Sequence, residues 1–208
     1  MAGPGTATVQ FWYDFPSPYA YLAAMRIEAL ADAAGVEVIW RPFLLGPVLE
    51  QRVEKPSPFQ NAEPAQARYR RRDVERLAAE YGLPLTWPSN YPRFSLLASR
   101  VAVVAAAESW AAPFSRAVFH ANFAQDRDIA SAEVVTEILT DLGRDAAALI
   151  ERAQSPENKA ALRAAVEEAL GHGIFGAPSL LVGTELFWGN DRLDQALAWA
   201  ARANRAAT

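Results

Sequence analysis

The pattern of hydrophobic and polar residues divides the chain into three parts, and the first part predicts a β-α-β unit. Residues 8–15 are rich in β-branched and aromatic side chains, which is typical of a buried strand. A helical pattern follows Pro16-Ser17-Pro18 and ends at Gly35, and residues 36–40 form a second short strand. This order favours a parallel pair of strands joined by a right-handed crossover.

Helical periodicity dominates the middle of the chain. Residues 41–64 contain five prolines and predict an ordered loop, and residues 83–94 predict a second loop. Apolar residues at helical spacing predict the helices around these loops. The predicted helices cover residues 69–82, 95–109, 112–125, 132–142, 145–154 and 156–172.

The periodicity changes again near residue 178, where the pattern predicts a β-β-α unit. Residues 178–182 and 185–188 form two short strands joined by a two-residue turn at Gly183-Thr184, and residues 191–203 form a closing helix. The two flanking units together predict one small sheet in an α/β fold, with the helices between them forming an insertion.

We therefore expect residues 1–46 and 173–208 to form one discontinuous α/β domain. Residues 47–172 would form an inserted helical subdomain. No internal repeat or flexible linker divides the chain further.

Composition narrows the possible chemistry. The chain has 208 residues and no cysteine, which excludes disulfides, cysteine nucleophiles and redox chemistry by its own thiols. Two histidines make a metal site unexpected, and a net charge of −4 gives no reason to bind nucleic acid. The most apolar stretch, residues 101–107, is far shorter than the roughly 20 residues of a spanning helix, so we expect no membrane association and a cytoplasmic location.

Ser17 is the first candidate for chemistry, and two interpretations of it remain open. A serine before a proline that starts a helix is an ordinary N-cap, as Ser155-Pro156 is expected to be. Ser17 also follows the first strand of an α/β unit, where ligands often bind. The unpaired N–H groups of a helix start suit an anion such as a thiolate.

Two segments near the end of the chain are further candidates. Gly176-Ala177-Pro178 is either a simple strand start or a strained turn, sometimes cis, whose backbone edge at Ala177 pairs with an extended peptide-like ligand. Asn190 and Asp191 either cap the last helix or help that helix start to bind a ligand carboxylate.

Several motifs spread over nearly the whole chain together resemble one known family. They are Phe15-Pro16-Ser17-Pro18-Tyr19-Ala20-Tyr21-Leu22, Arg41-Pro42-Phe43-Leu44-Leu45-Gly46, Tyr81-Gly82-Leu83-Pro84, Phe175-Gly176-Ala177-Pro178 and Phe187-Trp188-Gly189-Asn190-Asp191-Arg192-Leu193. In combination they resemble the 2-hydroxychromene-2-carboxylate isomerases. Those enzymes belong with kappa-class glutathione transferases in the DsbA-like branch of the thioredoxin superfamily.

The resemblance implies a thioredoxin-like fold with an inserted all-helical subdomain, and glutathione as cofactor. Ser17 would hold and activate the glutathione sulfur where redox relatives carry a cysteine. The backbone of Ala177, before a cis Pro178, would pair with the cysteinyl part of glutathione. Asn190 and Asp191 would bind its γ-glutamyl end.

The resemblance also implies roles for residues of the middle region. Asn61 matches a position that contacts glutathione in relatives, and Asn90 and Tyr91 match a loop on the substrate side. Many relatives have a lysine where this chain has Gln66. If that lysine binds an acidic group, Lys55 or Arg68 would replace it here.

The function implied is a glutathione-dependent isomerase that interconverts 2-hydroxychromene-2-carboxylate and trans-o-hydroxybenzylidenepyruvate, or acts on a related aromatic carboxylate. Two alternatives stay open. One is a kappa-like transferase that conjugates glutathione to electrophiles, and the other is a DsbA-like scaffold that binds a ligand without catalysis. Because kappa-class relatives are often dimers, a homodimer is also expected.

Overall fold

The computed structural model describes residues 7–50 and 64–206 and contains a four-stranded mixed sheet. Its strands are β1 (Ala7–Tyr13), β2 (Val36–Pro42), β3 (Ser179–Val182) and β4 (Glu185–Trp188). The strand order is β2-β1-β3-β4, with β1 parallel to β2 and antiparallel to β3, and β3 antiparallel to β4. The two ends of the chain therefore build one sheet, as the pattern predicted.

Helices surround this sheet. They are α1 (Pro18–Ala24), α2 (Ile27–Ala34), α3 (Leu45–Glu50), α4 (Pro64–Glu80), α5 (Leu96–Ala107), α6 (Ala111–Phe123), α7 (Ala132–Asp141), α8 (Ala146–Ala153), α9 (Pro156–Gly171) and α10 (Leu193–Ala206). A 3₁₀ turn at Asn190–Arg192 leads into α10. Within the described ranges, no helix is both long and apolar enough to cross a membrane.

The single helix predicted between Pro18 and Gly35 is wrong, because the structure has two helices separated by Met25 and Arg26. The Arg26 N–H bonds to the carbonyl of Ala23, a tighter i to i−3 bond that closes α1. Arg26 then adopts φ −118° before α2 begins. Its side chain makes tertiary contacts that apolar periodicity does not encode.

The predicted loop over residues 41–64 is also corrected. Strand β2 continues to Pro42, and α3 occupies Leu45–Glu50. Helix α3 is short, but its first N–H, from Leu45, bonds to the Asp14 carboxylate at 2.9 Å. This tertiary anchor replaces the missing local signal, and Pro47 is tolerated because it lies in the first turn. Helix α4 begins at Pro64 and not at residue 69.

Alternation along β1 sends aromatic side chains to both faces of the sheet. On one face Phe11 lies 5.1 Å from the Trp40 ring, measured between centroids, and on the other Trp12 lies 6.0 Å from the Phe43 ring. These residues are buried and belong to two hydrophobic clusters. The sheet is therefore covered on both sides, which fixes the end of β1 in the interior.

The larger cluster runs without interruption from the sheet into α5 and α6. A buried hydrogen bond of 2.6 Å between the Tyr13 hydroxyl and Ser115 Oγ ties β1 to α6. The predicted β3–β4 hairpin is confirmed, with its turn at Gly183-Thr184. The division into a 1–46/173–208 domain and a 47–172 insertion stays a prediction.

Candidate functional site

Ser17 lies directly beyond the end of β1 and caps α1. Its Oγ accepts a hydrogen bond from the Ala20 N–H at 3.2 Å, so the N-cap interpretation is confirmed. The same Oγ donates to the carbonyl oxygen of Ala177 at 2.8 Å. The capping serine is thus also a contact between the first and last parts of the chain.

The segment opposite Ser17 is the turn before β3. The Ala177–Pro178 peptide bond is cis, as the resemblance implies. The Pro178 carbonyl accepts a hydrogen bond from the Gly189 N–H at 3.0 Å. Ser17, the cis turn and the start of the 3₁₀ turn therefore follow one another along the same edge of the fold.

The 3₁₀ turn carries two predicted residues that differ sharply in exposure. Asn190 is only 3% exposed, and its side-chain oxygen accepts from Arg26 Nη1 at 3.2 Å while its amide nitrogen donates to the Tyr81 hydroxyl at 3.3 Å. The side chain of Asp191 is 70% exposed. Helix α1 packs against this turn. The Asp191 carboxylate is therefore exposed to solvent, with its Oδ2 3.6 Å from Arg192 Nη2, whereas the Asn190 side chain is held within the protein.

A partly exposed aromatic pair borders the cis turn. Trp188 is 53% exposed, and its ring lies 4.8 Å from that of Phe175. A Cβ on Gly176 would stand 2.2 Å from Trp188 Nε1, so only glycine lets the indole lie against the backbone there. Similarly, a Cβ on Gly189 would stand 2.4 Å from an oxygen of Asp191. Gly176 therefore makes room for the indole, whereas Gly189 is required by its φ of 114°, a conformation that favours glycine.

A second group of polar and aromatic residues surrounds Tyr19, two residues beyond Ser17. The Tyr19 hydroxyl donates to Asp73 Oδ2 on α4 at 2.9 Å. Burial, with this hydrogen bond and the Asp73 charge, raises the Tyr19 pKa, while the charge of Arg70 opposes the rise. Burial likewise raises the Tyr91 pKa, and the charges of Tyr19 and Arg70 also act on that phenol. Tyr91 thus shares the electrostatic environment of Tyr19.

The loop that precedes α5 presents its two predicted residues differently. Asn90 is exposed, whereas Tyr91 is partly buried, and its ring meets that of Trp87 edge-on at 5.7 Å. Gln66 and Arg68 are exposed on α4, and Arg70 is the partly buried arginine of that helix's first two turns. Asn61 and Lys55 lie outside the described residues.

The buried carboxylate of Asp14 connects the Ser17 turn to neighbouring elements through hydrogen bonds. Its two oxygens accept hydrogen bonds from the Leu45 N–H at 2.9 Å and from Ser95 Oγ at 3.1 Å, and its backbone carbonyl accepts from the Ser17 N–H at 3.1 Å. Burial raises the Asp14 pKa to about 6, although hydrogen bonds to the carboxylate from the Leu45 and Phe15 N–H groups and from Ser95 act against the rise. Asp14 joins the Ser17 turn to α3 and to the start of α5.

Sequence reasoning missed Asp14, Arg26 and Asp73 as parts of this region. The sequence marked each of the three as unusual, because each is a charged residue that differs in character or in sign from its neighbours in sequence. Asp14 breaks an aromatic run, Arg26 falls beside the apolar face of a predicted helix, and Asp73 stands among arginines. The pattern shows that such a residue needs a partner, but only the fold shows which partner it meets.

Comparison with known proteins gives the same picture over almost the full chain. The sequence pattern of the family of DSBA-like thioredoxin domains matches residues 8–198 of this chain. A 2-hydroxychromene-2-carboxylate isomerase from Sphingobium xenophagum is 32% identical over 189 residues, covering 91% of this chain and 95% of that protein. Glutathione S-transferase kappa 2 from Caenorhabditis elegans is 26% identical over 206 residues, covering 92% and 91%.

A solved structure of 2-hydroxychromene-2-carboxylate isomerase superposes with a TM-score of 0.80 at 27% identity, covering 97% of this chain and 99% of that one. The predicted thioredoxin-like fold and the resemblance are both confirmed by these matches. Because the family match spans residues 8–198, this chain belongs to the family of DSBA-like thioredoxin domains.

Proposed function

We propose that the protein is a glutathione-dependent isomerase acting on 2-hydroxychromene-2-carboxylate or a related aromatic carboxylate. The observation that carries the proposal is the Ser17 hydroxyl placed 2.8 Å from the carbonyl before a cis proline, in a chain that has no thiol. The isomerases among its relatives support the reaction class. The kappa transferases support glutathione as the thiol.

The residues along this edge suit the separate groups of glutathione. Ser17 offers a hydroxyl proton to a sulfur anion, and the backbone at Ala177 offers a peptide edge. Asp191 offers an exposed carboxylate to the ammonium of the γ-glutamyl group. Backbone N–H groups at the start of the 3₁₀ turn suit the carboxylate of that same γ-glutamyl group. Because the Asn190 side chain is already paired, we assign its contribution to the backbone of that turn.

Bound glutathione would supply a nucleophilic thiolate that adds reversibly to an electrophilic carbon of the substrate. The role of Ser17 is to turn its hydroxyl proton from the Ala177 carbonyl to the sulfur, which lowers the pKa of the thiol. Charge-assisted hydrogen bonds are stronger than neutral ones, so a thiolate is a better acceptor than the carbonyl. The rigid turns on either side hold the partners in place.

On the substrate side we assign Asn90 and Tyr91, together with Tyr19 and Arg70. Arg70 is the α4 cation whose charge acts on both tyrosines, which makes it a better candidate than exposed Arg68 for the carboxylate that the family lysine would bind. Asp73 holds the Tyr19 hydroxyl. The assignment of Asn61 to glutathione stays a prediction.

The test compares two serines that cap helices in the same way. Ser17→Ala and Ser155→Ala each remove an oxygen that accepts from the N–H three residues on, at 3.2 Å, but only Ser17 contacts Ala177. We expect Ser155→Ala to convert 2-hydroxychromene-2-carboxylate at the wild-type rate. Ser17→Ala would lose 10²-fold or more in kcat/KM, roughly the loss from removing one donor to a developing anion. Full activity of Ser17→Ala, or wild-type activity independent of glutathione, would refute the mechanism.

The same assay separates the alternatives. An isomerase returns every equivalent of thiol, whereas the kappa-like transferase, favoured by its relatives of that name, consumes thiol with an electrophile such as 1-chloro-2,4-dinitrobenzene. A non-catalytic binding protein turns over neither substrate. Homodimerisation, to be measured by light scattering after gel filtration, and a cytoplasmic location stay predictions.

A further inference from the structure

Arg26 is an arginine enclosed at the break between α1 and α2. Its side chain is only 17% exposed, and its guanidinium carbon lies 3.7 Å from the centroid of the Tyr81 ring. Placing a guanidinium on an aromatic face in a partly desolvated position is favourable, but it also fixes the direction in which the remaining N–H groups point. Here they point toward the 3₁₀ turn.

Arg26, Tyr81 and Asn190 form a closed cluster. Arg26 Nη1 donates to Asn190 Oδ1 at 3.2 Å, and Asn190 Nδ2 donates to the Tyr81 hydroxyl at 3.3 Å. Arg26 Nη2 also lies 3.8 Å from a carboxylate oxygen of Asp194, in the first turn of α10. Three parts of the chain are thereby joined at one point: the helix break, the end of α4 and the turn that begins α10.

This cluster holds the 3₁₀ turn from the side opposite the cis proline. On the proline side, the Gly189 N–H bonds to the Pro178 carbonyl at 3.0 Å. The exposed carboxylate of Asp191 follows the buried Asn190 directly, so the direction in which Asp191 points depends on how firmly Asn190 is held. Without Arg26 and Tyr81, the buried amide of Asn190 would lose both partners.

We propose that Arg26 is a positioning residue that holds Asn190, and through it aims the Asp191 carboxylate at a primary ammonium group of the ligand. The inference rests on the proposed function, which pairs Asp191 with the ammonium of the γ-glutamyl group, and adds to it the residue that positions this carboxylate. Arg26 itself touches no ligand group in this scheme. It acts through the turn, so its removal weakens most strongly the binding of ligands that carry the ammonium.

The experiment measures calorimetric binding of two probes, glutathione and N-acetylglutathione, which lacks the ammonium. The variants are Arg26→Gln, Arg26→Lys and Tyr81→Phe, with Arg144→Gln as control. Arg144 also stacks on an aromatic ring, 4.8 Å from the Trp110 centroid, but it is exposed and distant in sequence from the site elements. Tyr81→Phe keeps the ring beneath the guanidinium and removes only the hydroxyl, so it tests the cluster even if Arg26→Gln fails to fold.

We expect the wild type and Arg144→Gln to prefer glutathione to N-acetylglutathione. Arg26→Gln would bind glutathione about tenfold more weakly, equivalent to about 1.4 kcal/mol, and its loss of affinity for N-acetylglutathione would be clearly smaller. Arg26→Lys would recover part of the preference, and Tyr81→Phe would lose part of it. A variant that weakens both probes equally, or neither, overturns the positioning role. A wild type that binds neither probe overturns the proposed function itself.

Discussion

The Ser17 hydroxyl and the Ala177 carbonyl oxygen lie 2.8 Å apart although 160 positions separate the residues in sequence. Ser17 ends the turn after β1, and Ala177 precedes the cis proline that begins the approach to β3. The bond therefore joins the turn after β1 to the turn before β3, at the point where the proposed chemistry occurs. It gives Ser17 a structural task in addition to its proposed catalytic one.

The double task of Ser17 predicts that Ser17→Ala destabilises the protein more than Ser155→Ala. Each substitution removes a helix cap worth about 1 kcal/mol. Ser17→Ala also leaves the Ala177 carbonyl without this donor, which costs roughly another 1–3 kcal/mol if water does not replace it. Urea unfolding of both variants measures the difference. Equal losses of unfolding free energy would mean that the bond to Ala177 contributes nothing.

The contact between Gly176 and Trp188 predicts that Gly176→Ala is destabilising. The new methyl group would stand 2.2 Å from Trp188 Nε1, so the indole must move. Such overpacking typically costs about 1–3 kcal/mol. The matched control is Gly171→Ala, since a Cβ there meets nothing within 4 Å.

A second substitution tests the cause. In a Trp188→Ala background the indole is gone, and we expect Gly176→Ala to cost much less free energy of unfolding than it does in the wild type. If the cost is the same in both backgrounds, the clash with the ring is not the reason for it.

Burial of Asp14 predicts a stability change over a defined pH range. Its pKa is raised by burial from 3.8 to about 6, so the folded protein keeps this proton to a higher pH than the unfolded chain does. The favourable contribution is complete below pH 3.8 and is lost as the pH rises through about 6. The unfolding free energy of the wild type should therefore fall, relative to that of Asp14→Asn, by on the order of 2–3 kcal/mol across this range.

Denaturant unfolding at several pH values between 3.5 and 7 measures this difference for Asp14→Asn, with the range set by the raised pKa. Asp32→Asn, an exposed acid on α2, provides the background from the remaining titrating groups. A constant difference between the wild type and Asp14→Asn would show that Asp14 does not titrate in this range.

The hydrogen bond between Tyr13 and Ser115 predicts a coupled pair. Its length is 2.6 Å and both residues are buried, so Tyr13→Phe or Ser115→Ala leaves the other hydroxyl without its partner. Each single variant should lose about 1–3 kcal/mol of unfolding free energy, and the double variant less than their sum. Additive losses would show that the two hydroxyls do not interact.

Periodicity and turn chemistry in the sequence were enough to predict the strands, most helices and the hairpin at Gly183-Thr184. These features depend on neighbours in sequence, so the sequence displays them directly. The break at Arg26 and the helix at Leu45–Glu50 were missed because both depend on distant partners. Arg26 leaves the helix to reach Asn190, and Leu45 begins a helix on the carboxylate of Asp14.

In the candidate site, too, the sequence predicted individual residues but not the contacts between distant ones. Motif resemblance pointed to Ser17, Ala177 and Asp191, and the fold brings the first two into contact. The motif resemblance gave no indication that Arg26 and Tyr81 enclose the side chain of Asn190, because the three residues are far apart in sequence. Single polar residues in apolar surroundings indicated that partners exist, but not which residues they are.

The sheet order has a consequence for how the protein is made. Strand β1 lies in the interior of the sheet, yet its pairing with β3 joins Trp12 to Ser179. During synthesis on the ribosome, one edge of this aromatic strand has no partner until β3, at residues 179–182, has emerged. Exposed hydrophobic strand edges promote association between chains. Translation products that stop before β3 should therefore aggregate and never assemble the Ser17–Ala177 contact.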